Sequence, residues 1–276
     1  MAINVVLAVV VGDASDQRTL ATAAVAGRQI DAVVDVVHLK PDPTEMVMAM
    51  GEASVGLVAQ QIIAAAEADI AARAKQARAY YDAWKDEAGV KTSYRETVGS
   101  GADSVARLGR LADVIVIARA REDGGGDLES ILESALVSTG RPVLLAPEKP
   151  PASLTRHVGI AWNGSAEAAR AVAAVLPFAR GAARVTVFAA SPDDTLGEGA
   201  DALIAYLDRH GIKADVANVP GSAAAAGDAL ADGAVAAAVD LLAMGAYSHS
   251  RLRRLIFGGA TRRLMSDDRL AVLMAH

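Results

Sequence analysis

The amino-acid sequence predicts an α/β protein made of two tandem five-stranded, parallel, doubly wound domains. Short apolar runs typical of strands alternate with helical runs along the 276-residue chain. The chain also repeats itself. The matching stretches are 3–9 with 157–162, 113–118 with 240–245, and 141–146 with 269–274.

The predicted strands are continuously apolar, which is typical of a parallel sheet covered by helices on both faces. In the first copy they span 3–10, 32–39, 90–95, 113–118 and 142–146. In the second copy they span 158–162, 184–189, 213–218, 240–244 and 270–274, and the helical runs span 165–178, 196–210, 222–236 and 259–267. Right-handed crossovers favour the strand order 3-2-1-4-5 in each copy, with ligands at the carboxyl ends of the strands.

The repeat divides the chain into a first domain at residues 1–148 and a second at 153–276. The run 147–153 between them is predicted as a linker, because clustered prolines end a strand and do not continue a helix. The first domain carries a long helical insertion at residues 42–88, between its second and third strands.

The insertion contains a helix with one apolar face, which we expect to pack in the core. Its members are Val58, Ile62, Ala66, Ile70, Ala74, Ala77, Tyr81 and Trp84. The preceding residues 43–56 include three methionines. Two interpretations stay open for them, a flap over the strand ends and flexible packing filler.

The composition predicts a soluble, cytoplasmic protein that binds neither nucleic acid nor membrane. The absence of cysteine rules out a disulfide scaffold, a thiolate metal site and a cysteine nucleophile. Residues 1–11 lack the features of an export signal, and no uncharged apolar run reaches the length of a membrane span. A net charge of −6 without a basic patch disfavours nucleic acid.

No pattern in the chain predicts a metal site or a catalytic residue, so we expect a protein that is not an enzyme. The five histidines lack metal-ligand spacing, and His249 beside the expected crevice is interpreted as an exposed loop residue. A nucleophile elbow, a Walker loop and a dinucleotide fingerprint are all absent. Asp13, Ser15 and Ser165, which follow the first strands, are expected to cap helices.

Residues 244–261 are the most informative stretch of the second half. They lead from the fourth strand to a helix start, where Gly258, Gly259 and the next backbone N–H groups would face the crevice. The positive end of the helix dipole would lie there too. Gly245 and Ser248 precede these glycines at the end of the strand. The stretch therefore suits an anion.

This stretch resembles the signature of the universal stress protein family: a Gly, two residues, a Gly, nine residues, a Gly, then Ser or Thr. Here Ser248 replaces the second glycine, and Gly259 stands where Ser or Thr is usual. Residues 252–258 are also similar to the family's run before the helix, and 161–165 resemble its Asp-Gly-Ser phrase with Asn163 in place of Asp. The resemblance covers the second copy and, more weakly, the first. It implies the adenine nucleotide alpha hydrolase-like fold.

The resemblance implies a weak ATP site in the second half only. ATP-binding members hold adenine near the first-strand acid and the end of the second strand, and place ribose and phosphates on the glycine loop. The corresponding residues here are Asn163, Ala190, Gly245, Ser248, Arg251, Gly258, Gly259 and Thr261. Ser248 adds a Cβ and Gly259 removes a hydroxyl, which Thr261 would partly replace. Arg251 would either pair with phosphate or fill the pocket.

An equally weighted alternative is that this loop only connects strand to helix and makes a subunit contact. In the first half the corresponding residues 118–127 lack spaced glycines and carry Glu122, Asp123 and Asp127. We interpret them as a flexible acidic turn and expect no nucleotide there, because acids repel phosphate.

Three function hypotheses follow from the residues and the resemblance. The leading one is a regulatory protein of the stress response that binds a small ligand, a nucleotide or an unidentified protein partner. The others are a pure interaction module without nucleotide and a weak ATPase. The family commonly pairs through its last strand, so the apolar closing runs at 143–146 and 271–274 are expected to join the two halves as an intramolecular pseudo-dimer. A homo-oligomer is left open.

Overall fold

The computed structural model describes residues 3–43, 57–119, 126–189, 197–219, 226–246 and 259–276. The strands are β1 (Val5–Val10), β2 (Val33–Lys40), β3 (Thr92–Val98), β4 (Val114–Ala118), β5 (Val143–Ala146), β6 (His157–Trp162), β7 (Arg184–Ala189), β8 (Asp215–Asn218), β9 (Leu241–Gly245) and β10 (Ala271–Ala275). The helices are α1 (Ser15–Ile30), α2 (Leu57–Trp84), α3 (Gly101–Gly109), α4 (Gly126–Ser138), α5 (Ala166–Arg180), α6 (Ala200–Arg209), α7 (Ala226–Ala236) and α8 (Gly259–Ser266).

All of these strands belong to one sheet with the order β3-β2-β1-β4-β5-β10-β9-β6-β7-β8. Strands one to five lie in the order 3-2-1-4-5, and strands six to ten repeat that order in the opposite direction across the sheet. Within each half every pair of neighbours is parallel. The predicted doubly wound α/β fold class is therefore confirmed.

Apolar side chains fill both faces of the sheet, as continuously apolar strands require. On one face the core combines residues of α1, α2, α5 and α6 with alternate strand residues. On the other face it combines residues of α3, α4, α7 and α8. The outer strands β3 and β8 are largely exposed, whereas β4, β5 and β10 are fully buried. The best packed part of the molecule is thus the middle of the sheet.

The two halves meet at β5 and β10, the one antiparallel pair among the described strands. Leu144 lies opposite Leu273, and both side chains are fully buried. Each strand occupies the hydrogen-bonding edge that the other would expose in isolation, which removes two apolar edges from solvent.

The predicted linker is docked on the first half rather than extended into solvent. Leu154 is fully buried in the core, and its backbone N–H donates to Gln29 Oε1 at 2.8 Å. The Gln29 amide nitrogen in turn donates to Ser153 Oγ at 2.8 Å. The backbone N–H of Glu148 donates to the carbonyl of Asp268 at 2.8 Å, so the linker also contacts the second half.

The insertion helix α2 has two environments along its length. Ala74, Ala77 and Tyr81 are buried against the sheet, and the Tyr81 hydroxyl lies 3.0 Å from Thr92 Oγ1. Nearer its start, Ile62 is exposed and Ile70 lines a cavity. The expectation of core packing is therefore correct only for the second part of the stripe, because the first part overhangs the ends of the strands. Residues 44–56, with the methionine segment, lie outside the described residues.

Candidate ligand-binding clefts

The first strand of each half ends in the same tight turn. Gly12 follows β1 with a φ of 84°, and Gly164 follows β6 with a φ of 73°. Both φ values lie in the left-handed region, which favours glycine. A Cβ on Gly164 would also lie 2.6 Å from the backbone nitrogen of Gly197. The backbone of each turn is thereby held close to the segment that covers it.

In the second half, this turn leads into a capped helix at the crevice. Asn163 Oδ1 accepts a hydrogen bond from the backbone N–H of Ser165 at 3.1 Å. Ser165 Oγ accepts one from Ala168 N–H at 3.1 Å, which confirms the predicted cap of α5. In the first half the cap position is Ala14, without a side-chain bond, and Asp13 instead accepts from Ser15 N–H.

Gly245 ends β9, which lies beside β6 in the sheet. A Cβ at this position would lie 2.6 Å from the backbone nitrogen of Ala168 and 2.7 Å from Glu167 Cβ. Glycine is thus required for close packing of β9 against the start of α5. Because β6 and β9 end at the same edge, the fold brings Gly245 and Asn163 to one side of the crevice.

The other predicted ligand residues are only partly described. Gly259 begins α8 and Thr261 lies in its first turn, so a helix does start where the sequence predicts it. Ala190, Ser248, Arg251 and Gly258 lie outside the described residues, as does His249.

In the first half, a cavity of about 1240 Å³ opens at the carboxyl ends of the strands, the place where doubly wound sheets bind ligands. It lies between the sheet edge and the first part of α2, with the starts of α1 and α3 forming further walls. The apolar wall residues include Val11, Ala21, Leu39, Ala66, Ile70 and Ile131. The sequence did not predict this cavity, because the overhang of α2 depends on tertiary packing.

Two buried arginines, Arg18 and Arg119, line this cavity. Arg18 Nη1 lies 2.5 Å from Glu148 Oε2, and Nη2 donates to the carbonyl of Arg119 at 3.2 Å. Arg18 Nε is buried and makes no hydrogen bond within the described part of the chain. Such a buried donor without a partner is costly in a protein interior.

Arg119, near the start of the stretch 118–127, is buried, and the sequence reasoning did not single it out. Its guanidinium donates to the carbonyls of Ala146 at 2.9 Å, Leu270 at 2.7 Å and Leu264 at 3.4 Å. Burial lowers the pKa of Arg119 to about 10, which still leaves it charged at neutral pH. The signal in the sequence is an arginine placed directly after the buried strand β4. Residues 120–125 lie outside the described ranges.

Asp16 lies beneath the first-strand turn and is buried. Its carboxylate accepts hydrogen bonds from the backbone N–H groups of Val11 at 2.8 Å and Gly12 at 2.9 Å. Burial raises the pKa of Asp16 to about 7, although these two hydrogen bonds oppose the shift. The side chain therefore holds the turn at the floor of the cavity and titrates near neutral pH.

The described residues contain no candidate metal centre and no candidate membrane span. No group of three or more His, Asp or Glu side chains there is arranged to hold a metal ion. None of the helices seen in those ranges combines the length and apolar character needed to cross a bilayer.

Comparison with known proteins gives matches among solved structures. No family model matches the chain, and no curated protein matches it. A universal stress protein from Archaeoglobus fulgidus DSM 4304 superposes with a TM-score of 0.73 at 13% identity, covering 99% of this chain and 96% of that one. A Pseudomonas aeruginosa UCBPP-PA14 protein, provisionally named a universal stress protein, gives a TM-score of 0.59 at 14% identity, with 99% and 93% coverage.

A protein of unknown function from Pseudomonas aeruginosa PAO1 is similar to the same extent, with a TM-score of 0.59, 16% identity, and coverage of 99% and 92%. These likenesses extend over nearly the whole chain, and their TM-scores indicate a shared fold. The chain therefore has the fold of the universal stress proteins, as the sequence resemblance implies.

Proposed function

We propose that this chain is a universal stress-type regulatory protein of the cytoplasm, which responds to stress through a small ligand and carries a weak ATP site in its second half. The observation that supports it most is the crevice between β6 and β9. There Asn163, the left-handed turn at Gly164 and the close-packed Gly245 surround the start of α5. The segment 245–259, which begins with Gly245 and ends with Gly258 and Gly259, joins this crevice to the start of α8 in the sequence.

The site is proposed to be weak because three positions depart from the family pattern. Ser248, Gly259 and Asn163 each remove a feature that a tight ATP site would use. A lost hydrogen bond to a charged group costs about 1.5–3 kcal/mol, so two such losses lower affinity by on the order of a hundredfold or more. We expect a dissociation constant for ATP well above roughly 1 µM.

The two halves are proposed to act as an internal pair, with β5 and β10 in the place of a subunit contact. Support comes from the antiparallel register of Leu144 with Leu273 and from the full burial of both strands. The same contact leaves the outer strands β3 and β8 as the free edges of the sheet.

The test is native mass spectrometry of the purified chain for retained nucleotide, followed by calorimetric titration with ATP. Gly258→Asp should abolish binding, because a carboxylate at a helix start repels phosphates. The matched control is Gly124→Asp in the corresponding stretch of the first half, which should leave binding unchanged. Submicromolar affinity, or loss of binding in the Gly124 variant, would contradict the proposal.

ATP turnover by the wild-type chain above that of a variant substituted at both Gly258 and Gly259 would instead assign the protein to the weak ATPases. Complete absence of ATP binding would favour an interaction module.

A further inference from the structure

The cavity in the first half is walled by a segment that the second half lacks. Helix α2 has 28 residues, whereas the corresponding helix of the second half, α6, has 10. Ala66 and Ile70 of α2 face the cavity from above, and a Cβ on Gly12 would lie 2.4 Å from the carbonyl oxygen of Arg73. The cavity therefore lies at the place in the first half that corresponds to the proposed ATP crevice of the second half, and it differs from that crevice because α2 overhangs it.

Aliphatic side chains from several elements form the apolar part of the cavity wall. Leu39 from the end of β2, Leu128 and Ile131 from α4, and Ile70 from α2 lie on different sides of it. A volume of about 1240 Å³ with such walls fits the apolar body of a small organic ligand.

The polar part of the cavity is dominated by Arg18, which is only 8% exposed. Within the described residues it pairs with Glu148, whose side chain is 58% exposed, so this carboxylate can leave for solvent at little cost. The Nε of Arg18 has no hydrogen-bond partner within the described residues. A ligand carboxylate could pair with the fork of Arg18, where two parallel hydrogen bonds form well.

Other charges around the cavity limit how many negative charges a ligand could carry. Arg73 is already paired with Asp69 at 2.7 Å, and Arg119 donates to three carbonyls. Asp13 also lines the cavity. Its negative charge disfavours a polyphosphate and leaves room for a single negative head group.

We propose that this cavity binds a small amphipathic acid, with its anionic head on Arg18 in place of Glu148 and its apolar body between α2 and α4. The site goes beyond the function proposed above, since it lies in the other half and takes a different class of ligand.

The test is calorimetric titration of the full chain with laurate, with acetate and ATP as separate arms. Laurate should bind at one site per chain. Acetate should not bind, because it lacks the apolar body, and ATP should not displace laurate. Laurate failing to bind, or ATP displacing it competitively, would overturn the proposal.

Variants then locate the bound acid. Ile70→Trp fills the cavity and should abolish laurate binding, whereas the matched control Ile62→Trp, on an exposed position of the same helix, should bind as the wild type does. Glu148→Gln removes the competing carboxylate and should tighten binding about two- to fivefold. Equal binding by both tryptophan variants, or weaker binding by Glu148→Gln, would show that laurate binds elsewhere.

Arg18→Gln should weaken laurate binding by about tenfold or more. If this variant does not fold, as judged by circular dichroism, the Ile70 and Glu148 variants decide the question. Wild-type affinity in a folded Arg18→Gln variant would contradict the role of this arginine.

Discussion

Arg119 Nη2 donates a 2.7 Å hydrogen bond to the carbonyl oxygen of Leu270, joining the end of β4 to the residue before β10. The same guanidinium reaches Ala146 at the end of β5 and Leu264 in α8. One buried side chain thus hydrogen-bonds to the end of β5, to the residue before β10 and to helix α8. Each of these carbonyls thereby accepts a hydrogen bond from a charged donor.

Arg119→Leu should destabilise the chain by about 3 kcal/mol, because removing the donor leaves buried carbonyls unpaired. Urea unfolding followed by circular dichroism measures this loss. The control is Arg156→Leu, since Arg156 pairs with Asp240 on the surface and its side chain is 71% exposed. That variant should unfold close to the wild-type midpoint. Equal midpoints for all three proteins would refute the structural role of Arg119.

Gly245→Ala should cost about 1–3 kcal/mol, because its Cβ would be forced against the first turn of α5. Thermal unfolding tests this. Gly233→Ala in α7 is the matched control, since its Cβ would meet only Phe188 at an ordinary 3.8 Å. An alanine inside a helix should stabilise that variant by up to about 1 kcal/mol. The prediction fails if both alanines shift stability in the same direction.

Asp16 should make the chain less stable as the pH rises from about 4 to about 7. Its folded-state pKa of about 7 lies above the usual value of 3.8, so the folded protein holds this proton more tightly than the unfolded chain. The stabilisation is complete below the unfolded pKa and is lost through the folded one, by about 2–4 kcal/mol. Denaturant unfolding at several pH values measures it.

Two substitutions isolate this effect. Asp16→Asn stays neutral, so the stability of the wild type relative to this variant should fall between pH 4 and pH 7. Asp82 should change stability with pH in the opposite direction, because the hydrogen bond from Arg78 lowers the pKa of this exposed carboxyl to about 2. The free energy of unfolding of the wild type, relative to that of Asp82→Asn, should therefore increase as the pH rises from 2 to 4. A difference in unfolding free energy between the wild type and Asp16→Asn that does not change with pH would contradict the raised pKa of Asp16.

The sequence was sufficient to predict those elements that depend on residues close together in the chain. The apolar runs predicted every described strand to within a few residues. Ser165 was correctly predicted as a helix cap, because a cap is made by residues three apart in the chain. The order of strands followed from the handedness of crossovers, which leaves few arrangements for a five-stranded parallel sheet.

By itself, then, the sequence determined the repeat and the strand order. The tertiary structure alone decided that α2 overhangs a cavity, that Arg119 reaches Leu264 and Leu270 in the other half, and that Asp16 titrates near neutral pH. The physical reason is that cavities, buried charges and shifted pKa values depend on which side chains exclude water from one another. That exclusion is set by packing between segments more than a hundred residues apart in the chain, as with Arg119 and Leu270, and the local periodicity of a sequence carries no record of it.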